Sequence, residues 1–138
     1  MDLKNQLLKS FKQDKIISKL GKNLEIEGKD IWDLTISINW NHIGSIKICN
    51  ASLYDLGSIE NWFLSLYPRS KYYFSIFPCD ERIKGFIGQH LKSNKKHECF
   101  MLNAWHGDEI ISHFYIADIN SDKPVIGIGI SDKFHGKK

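Results

Sequence analysis

The spacing of apolar residues changes twice along this chain, and this change limits the fold more than any other feature of the sequence. Between residues 34 and 50 apolar and polar residues alternate, which predicts one strand at 34–40 and a second at Gly44–Asn50. Between residues 52 and 92 apolar residues recur every three or four positions, which predicts two helices, the first ended by Pro68. Alternation then returns in three predicted strands, at 97–104, 110–119 and Val125–Ile130.

This order of elements defines an α+β fold class. A strand followed by two helices and then three strands joined by short turns lacks the regular alternation of a doubly wound sheet. Leu3 and Leu7 begin a further stretch of helical spacing, which Gly21 is expected to end. We therefore expect a mainly antiparallel sheet with flanking helices. In this interpretation, residues 1–42 form a helix-plus-strand extension that precedes a main unit at 43–138.

Composition excludes several classes of protein. The 138 residues are 42% hydrophobic, which is enough for a core, and no apolar run is long enough for a membrane span. The N-terminus lacks the apolar segment of a signal peptide, and three cysteines are typical of free thiols in a reducing cytoplasm. Only Arg69 and Arg82 are arginines among 19 basic residues, so we expect no nucleic-acid partner. No aromatic-rich apolar face accompanies the lysines of the predicted N-terminal helix, so we expect no membrane partner. Cysteine and histidine spacings match no zinc motif, so no metal site is expected.

The end of the sequence carries the strongest chemical pattern. An apolar strand with two glycines, Val125–Ile130, is followed by a short polar turn and then by Gly136, Lys137 and Lys138. Glycine in a strand admits the close approach of a ligand, and a Gly/Lys turn can direct N–H groups and an ammonium at one anion. Two interpretations stay open at this point. One is a strand edge that holds an extended ligand ending in phosphate, and the other is a bulged strand followed by a solvated terminus.

The same segment resembles the GNAT superfamily of acyl-CoA-dependent N-acetyltransferases, and the resemblance covers roughly residues 43–138. In that family the fourth strand pairs with the pantetheine arm, and the next turn wraps the pyrophosphate with the pattern Arg/Gln-x-x-Gly-x-Gly/Ala. Phe134-His135-Gly136-Lys137 is similar to the aromatic-x-Gly-Lys sequence that leads into this turn. His135 then stands at the Arg/Gln position and Lys138 at the first Gly. Because the pattern runs past Lys138, the chain is interpreted as the N-terminal portion of a GNAT protein.

The resemblance implies acetyl-CoA as the acyl donor and assigns residues to it. The strand backbone would position the pantetheine and the turn would face the pyrophosphate. The implied cofactor-binding residues are Ile128, Gly129, Ile130, His135, Gly136, Lys137 and Lys138. The region between the first two helices shapes acceptor specificity in the family. Its aromatic residues are interpreted either as an acceptor pocket or as core: Trp62, Phe63, Tyr72, Tyr73, Phe74 and Phe77.

The resemblance also implies a carboxylate that removes the amine proton, on or beside the fourth strand. Val125 stands where related sequences often carry Glu, and its side chain cannot accept a proton. By chain order the nearest substitutes are Asp118 and His113. Asp118 is the candidate general base, with a turn role at the end of a strand as the alternative. For His113 the alternative is a position in the core or on the surface.

Together these features predict a cytoplasmic N-acetyltransferase that transfers an acetyl group from acetyl-CoA to a primary amine. The acceptor would be a small molecule or a peptide, and the sequence does not identify it, since one fold serves many acceptors. The alternative is a catalytically inactive GNAT-like fragment or binding module. Such a module would self-associate as a homodimer through its open strand edge, because unpaired N–H and C=O groups favour pairing with another chain.

Overall fold

Six strands form one sheet in which every neighbouring pair is antiparallel and the spatial order follows the chain order. The computed structural model describes residues 3–74 and 77–134. The strands are β1 (Gly21–Glu27), β2 (Thr35–Trp40), β3 (Gly44–Asn50), β4 (Phe100–His106), β5 (Glu109–Ala117) and β6 (Val125–Ile130). The helices are α1 (Leu3–Gln13), α2 (Lys15–Leu20), α3 (Leu56–Ser65), α4 (Pro68–Tyr73) and α5 (Ile83–Lys95). The predicted α+β class, with an antiparallel sheet and flanking helices, is confirmed.

Periodicity did not reveal the first strand. β1 alternates only at Leu24 and Ile26, and its pairing with β2 is irregular between Lys22 and Glu25. Gly21 ends the helix before it as expected, but with a φ of −103°, so the chain continues directly into an extended strand. A residue in the left-handed conformation would instead have turned the chain away from this direction.

The boundary expected between residues 42 and 43 lies in the short connection between β2 and β3. These strands pair along their whole length, from Thr35 opposite Cys49 to Trp40 opposite Gly44. The part before residue 43 therefore adds two strands to the same sheet that carries β3 to β6. The division into an extension and a main unit remains a prediction.

Local capping explains how the helices differ from the predicted ones. The N-terminal helix is split at Asp14, whose side chain accepts a hydrogen bond from the Ile17 amide at 2.9 Å and so begins α2. α3 ends at Ser65, before Pro68, as expected, and Pro68 itself occupies the first turn of the short helix α4, where its missing N–H costs nothing. The longest helix, α5, has 13 residues, and no described helix is both long and apolar enough to cross a membrane.

The sheet carries helices on both faces. Met101 and Tyr115 lie opposite each other on the face covered by α3 and α5, where they join the larger apolar core. Leu102 and Phe114, one position along each strand, point to the other face. On that face α1 packs over β1 and β2, around the buried residue Ile36. Four aromatic residues fill the core beneath β5 and β6: Trp62, Phe63, Phe74 and Phe77. Of the six aromatic residues considered for an acceptor pocket, these four are core.

The two glycines of β6 make room for aromatic rings of this core. Gly127 lies opposite Tyr115, whose ring occupies the space that a Cβ at residue 127 would need. A Cβ at Gly129 would lie 2.8 Å from Cη2 of Trp62. The pairing of β5 with β6 is regular along its length, so no bulge accompanies the glycines. Internal packing therefore accounts for both glycines without a ligand.

We expect Gly129→Ala to lower the free energy of unfolding by about 1–3 kcal/mol, the usual cost of overpacking, because the buried Trp62 ring must move. Gly85→Ala is the matched control, since nothing lies within 4 Å of its new Cβ and it sits in α5. There alanine should stabilise by about 0.5–1 kcal/mol through helix propensity. Urea unfolding of both variants measures the difference. Equal stability of the two variants would contradict this packing.

Candidate functional site

The outer edge of β6 is one of the two edges of the described sheet, the other being that of β1. β6 is the last strand and pairs only with β5 within the described residues. The Ser131 amide, just after the strand, donates to the Ile111 carbonyl at 2.8 Å. Because antiparallel strands alternate between paired and unpaired backbone groups, residues 129 and 127 also point toward β5. The backbone N–H and C=O groups of Ile126 and Ile128 therefore point outward.

This geometry separates the predicted cofactor-binding residues of the strand. Ile128 presents its backbone outward, as an extended ligand would require. The alternation gives the backbone of Ile130 the same outward direction, but Ile130 already takes part in another interaction within the protein. Gly129 turns its backbone inward, and its carbonyl also accepts a hydrogen bond from the Ser112 hydroxyl at 2.9 Å. Ile126 was not among the predicted residues, although the alternation of β6 assigns it the same orientation as Ile128.

The turn after β6 is held by contacts of two side chains, Asp132 and Lys133. Asp132 accepts hydrogen bonds from the Tyr67 amide at 2.7 Å and from the Ser70 hydroxyl, so the turn is joined to the start of α4. Lys133 forms an ion pair with Glu109 at 2.7 Å. These contacts determine where the chain leaves the sheet. The predicted pyrophosphate-binding residues His135, Gly136, Lys137 and Lys138 follow this turn and lie outside the described residues.

Beside the open edge lies an apolar sheet face. The side chains of Ile126 and Ile128 are 63% and 65% exposed on the face that α3 and α5 do not cover. On the same face a shallow cavity of about 270 Å³ is lined by Leu102, Phe114 and Ile128, among others. An extended ligand along β6 would therefore have backbone hydrogen-bonding groups on one side and apolar surface on the other.

Asp118 lies at the end of β5 that is next to the start of β6. It directly follows Ala117, which pairs with Val125, and its side chain is exposed. Its φ of 53° lies in the left-handed region, and its carbonyl accepts hydrogen bonds from the amide and the hydroxyl of Ser121. The backbone of Asp118 thus shapes the turn between β5 and β6. Its role as a general base remains a prediction.

His113, the second residue considered as a base, is a core residue. Its ring has no solvent exposure, lies among Trp62, Phe74 and Phe77, and contacts Asn103 through Nδ1 at 2.5 Å. Burial, with a smaller contribution from nearby His90, lowers its pKa from 6.5 to about 3. The imidazole is therefore neutral at physiological pH and enclosed by aromatic rings. A buried ring in this position cannot accept a proton from a substrate amine in the folded chain.

The buried thiol of Cys99 is poorly suited to nucleophilic chemistry. Burial, followed by the charge of Glu98, raises the pKa of Cys99 to about 11, and its thiol donates to the His90 carbonyl. Cys99 is therefore protonated, which makes it a poor nucleophile. In residues 3–74 and 77–134, no group of three or more His, Cys, Asp and Glu side chains is arranged to hold a metal ion.

The fold is similar to that of two solved proteins, an acetyltransferase and a GNAT domain. A ribosomal-protein-S5-alanine acetyltransferase from Vibrio fischeri aligns with a TM-score of 0.52 and 14% identity, over 73% of this chain and 58% of that one. The GNAT domain of S. lividans PAT aligns with a TM-score of 0.60 and 14% identity, over 80% of this chain and 66% of that one. The chain thus spans less than two thirds of either protein. At 14% identity the likeness shows a shared fold, and the GNAT-like fold expected from the sequence is confirmed at that level.

Sequence comparisons add nothing to this structural likeness. No protein-family model matches the chain, and no curated protein matches it.

The buried histidine predicts a specific pH dependence of stability. We expect the free energy of unfolding to fall as the pH drops from about 6.5 toward 3, because the unfolded imidazole binds a proton that the folded one excludes. The maximum slope from this single group is about 1.4 kcal/mol per pH unit, and its contribution is complete above pH 6.5.

His113→Gln removes this titration but keeps a neutral polar side chain beside Asn103. Urea unfolding at several pH values should therefore give a shallower pH dependence for the variant than for the wild-type chain. Carboxylates with lowered pKa values, such as Asp33 and Asp80, contribute equally to both curves. Parallel curves would contradict the neutral, buried state of His113.

Proposed function

We propose that this chain is an N-acetyltransferase unit that binds acetyl-CoA along the outer edge of β6 and transfers the acetyl group to a primary amine. One observation carries the proposal: within the described residues β6 pairs only with β5, so the Ile126 and Ile128 backbone groups point outward from the sheet, in a fold shared with GNAT acetyltransferases. The amide-bearing pantetheine arm offers the donors and acceptors that such an edge lacks. Its methylene groups match the apolar side chains beside the edge.

The chemistry that this arrangement supports is direct transfer. The amine nitrogen attacks the thioester carbonyl, a C–N bond forms, and the C–S bond breaks. CoA leaves as a thiolate that takes up a proton. An outward N–H of β6 would donate to the carbonyl oxygen as negative charge develops there, which stabilises the transition state more than the substrate. Holding amine and thioester together supplies the remaining acceleration by proximity.

The two ends of the donor would meet different parts of the chain. The pyrophosphate end would extend past the Asp132 turn toward His135, Gly136, Lys137 and Lys138. The ammonium groups of the two lysines suit phosphate. The acyl end would lie toward the start of β6. Asp118 at that end is the proposed base for the amine, and its exposed carboxylate is accessible from solvent. We further propose a small-molecule or peptide acceptor, with a peptide that begins with alanine as the first one to assay, by analogy with the Vibrio fischeri protein.

The edge geometry can be tested without knowing the acceptor. Ile128→Pro removes the outward N–H of residue 128 but leaves the ladder with β5 intact, because that N–H does not take part in it. We expect acetyl-CoA to bind the variant about tenfold or more weakly, the loss of one well-made hydrogen bond with its partner left unpaired. Titration calorimetry measures the affinity.

Ile128→Val is the matched control for this experiment, since it keeps the N–H and the β-branched side chain, and it should bind like the wild type. Amide NMR spectra establish that both variants keep the sheet. If the folded proline variant binds acetyl-CoA as well as the valine variant, the pantetheine does not pair with this edge.

A second function is favoured by the exposed isoleucines of β6. The strand has no charged residue, and an open edge of this kind is a surface on which two copies can pair. In that case the chain is a binding module that forms a homodimer through β6. Dimer formation and acetyl-CoA binding would compete for the same backbone groups.

Sedimentation velocity separates these two functions. The dimer predicts a sedimentation coefficient that rises with protein concentration, and Ile128→Lys should abolish the rise because it places a charge in the interface. Ile16→Lys is the matched control, since both isoleucines are 65% exposed and Ile16 lies on α2, away from β6. A wild-type chain that stays monomeric from micromolar to millimolar concentration would exclude the homodimer.

A further inference from the structure

A second cavity lies far from the β6 edge, at the end of the sheet where β3 stops and β4 begins. It has a volume of about 550 Å³, within the range of small-molecule sites. Its walls come from the turn before β2, from the segment between β3 and α3, and from the last turn of α5. Two strands, β4 and β5, separate β3 from β6 in the sheet. The cavity is therefore distinct from the proposed acetyl-CoA site.

The floor of this cavity is a rigid amide pair. Asn94 is 2% exposed, and its Oδ1 accepts from the Met101 amide at 3.1 Å and from the Asn50 side chain. Its Nδ2 donates to the Asn50 Oδ1 and to the Ala51 carbonyl, both at 2.7 Å. The Asn94 amide group is thus fully engaged within the protein. Recognition of a ligand must come from the other side chains that line the cavity.

Flat aromatic surfaces form one side of the cavity. The rings of Trp32 and His97 stack with centroids 3.9 Å apart and an interplanar angle of 9°, so each covers one face of the other and the pair forms a wall with a flat outer face. Tyr54 at the rim is 98% exposed, and its neighbour Leu53 is 42% exposed. A tyrosine that makes so little contact with its own chain leaves both ring faces available. These surfaces favour a planar ligand over a bulky one.

The backbone holds His97 in this wall at a cost. Glu98 donates to the Ser93 carbonyl at 2.9 Å and His97 donates to the Asn94 carbonyl at 3.0 Å, which is the bonding pattern that ends a helix with a left-handed residue. Glycine usually occupies that position, but here it is His97, with a φ of 61°. A non-glycine residue in this conformation is strained. The strain places an imidazole, instead of a bare backbone, against Trp32.

The charge of the lining has one sign. Lys95 and His97 are its basic side chains, and no Asp or Glu lines the cavity. No ion pair joins Lys95 to a carboxylate in the part of the chain that the structure describes. A cationic group beside an apolar, aromatic cavity attracts a ligand that carries an anion on a flat apolar body.

We propose that this cavity binds a flat aromatic anion, with its ring between Tyr54 and the Trp32–His97 wall and its acidic group at Lys95. The apolar side chains of Leu53 and Leu91 complete the surface that the ring contacts. The chemical class is that of an aromatic carboxylate. This site does not depend on acetyl-CoA binding at β6.

Naphthalene-2-carboxylate is the probe that tests the site, with amide and indole NMR spectra of the intact chain as the readout. We expect saturable shifts of the Trp32 indole and of amides around the cavity, with a Kd of about 1 mM or below, the range for so small a ligand. The neutral naphthalene-2-methanol and the non-planar cyclohexanecarboxylate should each bind about fivefold or more weakly. Absence of saturable shifts, or equal binding of all three compounds, would overturn the proposal.

Variants of α5 locate the charge that holds the anion. Lys95→Gln should weaken binding of the carboxylate about fivefold, and Lys92→Gln, an exposed lysine one turn earlier, should change it by less than about twofold. His97→Gly is chosen to fold, since glycine relieves the strained φ, and it should weaken binding by removing one side of the wall. Wild-type affinity in both Lys95→Gln and His97→Gly would place the probe elsewhere and overturn the proposal.

Discussion

The packing of two aromatic rings against the glycines of β6 is the contact on which the arrangement of the candidate site depends. Tyr115 covers Gly127 from the neighbouring strand, and Trp62 of α3 covers Gly129. A shift of β6 by one residue would place isoleucine side chains where these rings lie, and the core has no room for them. The register of β6 is thus set from inside the protein. That register determines which backbone groups point outward.

Once the register is set, the other features of the edge follow. Ile126 and Ile128 must turn their backbone groups away from β5 and their side chains toward the face that α3 and α5 leave uncovered. Asp132 then ties the end of the strand to α4, so the chain leaves the sheet in one fixed direction. The outward direction of these backbone groups and the exposed apolar strip therefore both follow from the packing of the two rings, and the contacts of Asp132 add the fixed direction in which the chain leaves the sheet.

The sequence predicted the parts of the fold that have regular periods. All five predicted strands are present. They could be predicted because alternation over six or more residues is a strong local signal, and their positions also gave the GNAT-like order of elements. β1 and α4 were not predicted. β1 has only two alternating apolar residues, and α4 is a short helix begun by Pro68. Asp132 could not have been found, since its partners Tyr67 and Ser70 are more than 60 residues away in the chain. His113 could be placed in the core only once its aromatic neighbours were known.

The glycines show why a motif and its structural cause must be kept apart. In the sequence they left open either close approach of a ligand or a bulged strand, whereas in the fold they admit rings of the core. The proposed donor site rests instead on the direction of the backbone groups of Ile126 and Ile128. Amide hydrogen exchange along β6, followed by NMR, tests that direction most directly.

Slow exchange of the Gly127 and Gly129 amides, fast exchange of the Ile126 and Ile128 amides, and protection of the latter two by added acetyl-CoA are the expected results. Uniform protection of all four amides without ligand would mean that the edge is already paired. Alternating exchange that acetyl-CoA leaves unchanged would contradict binding of the donor along β6.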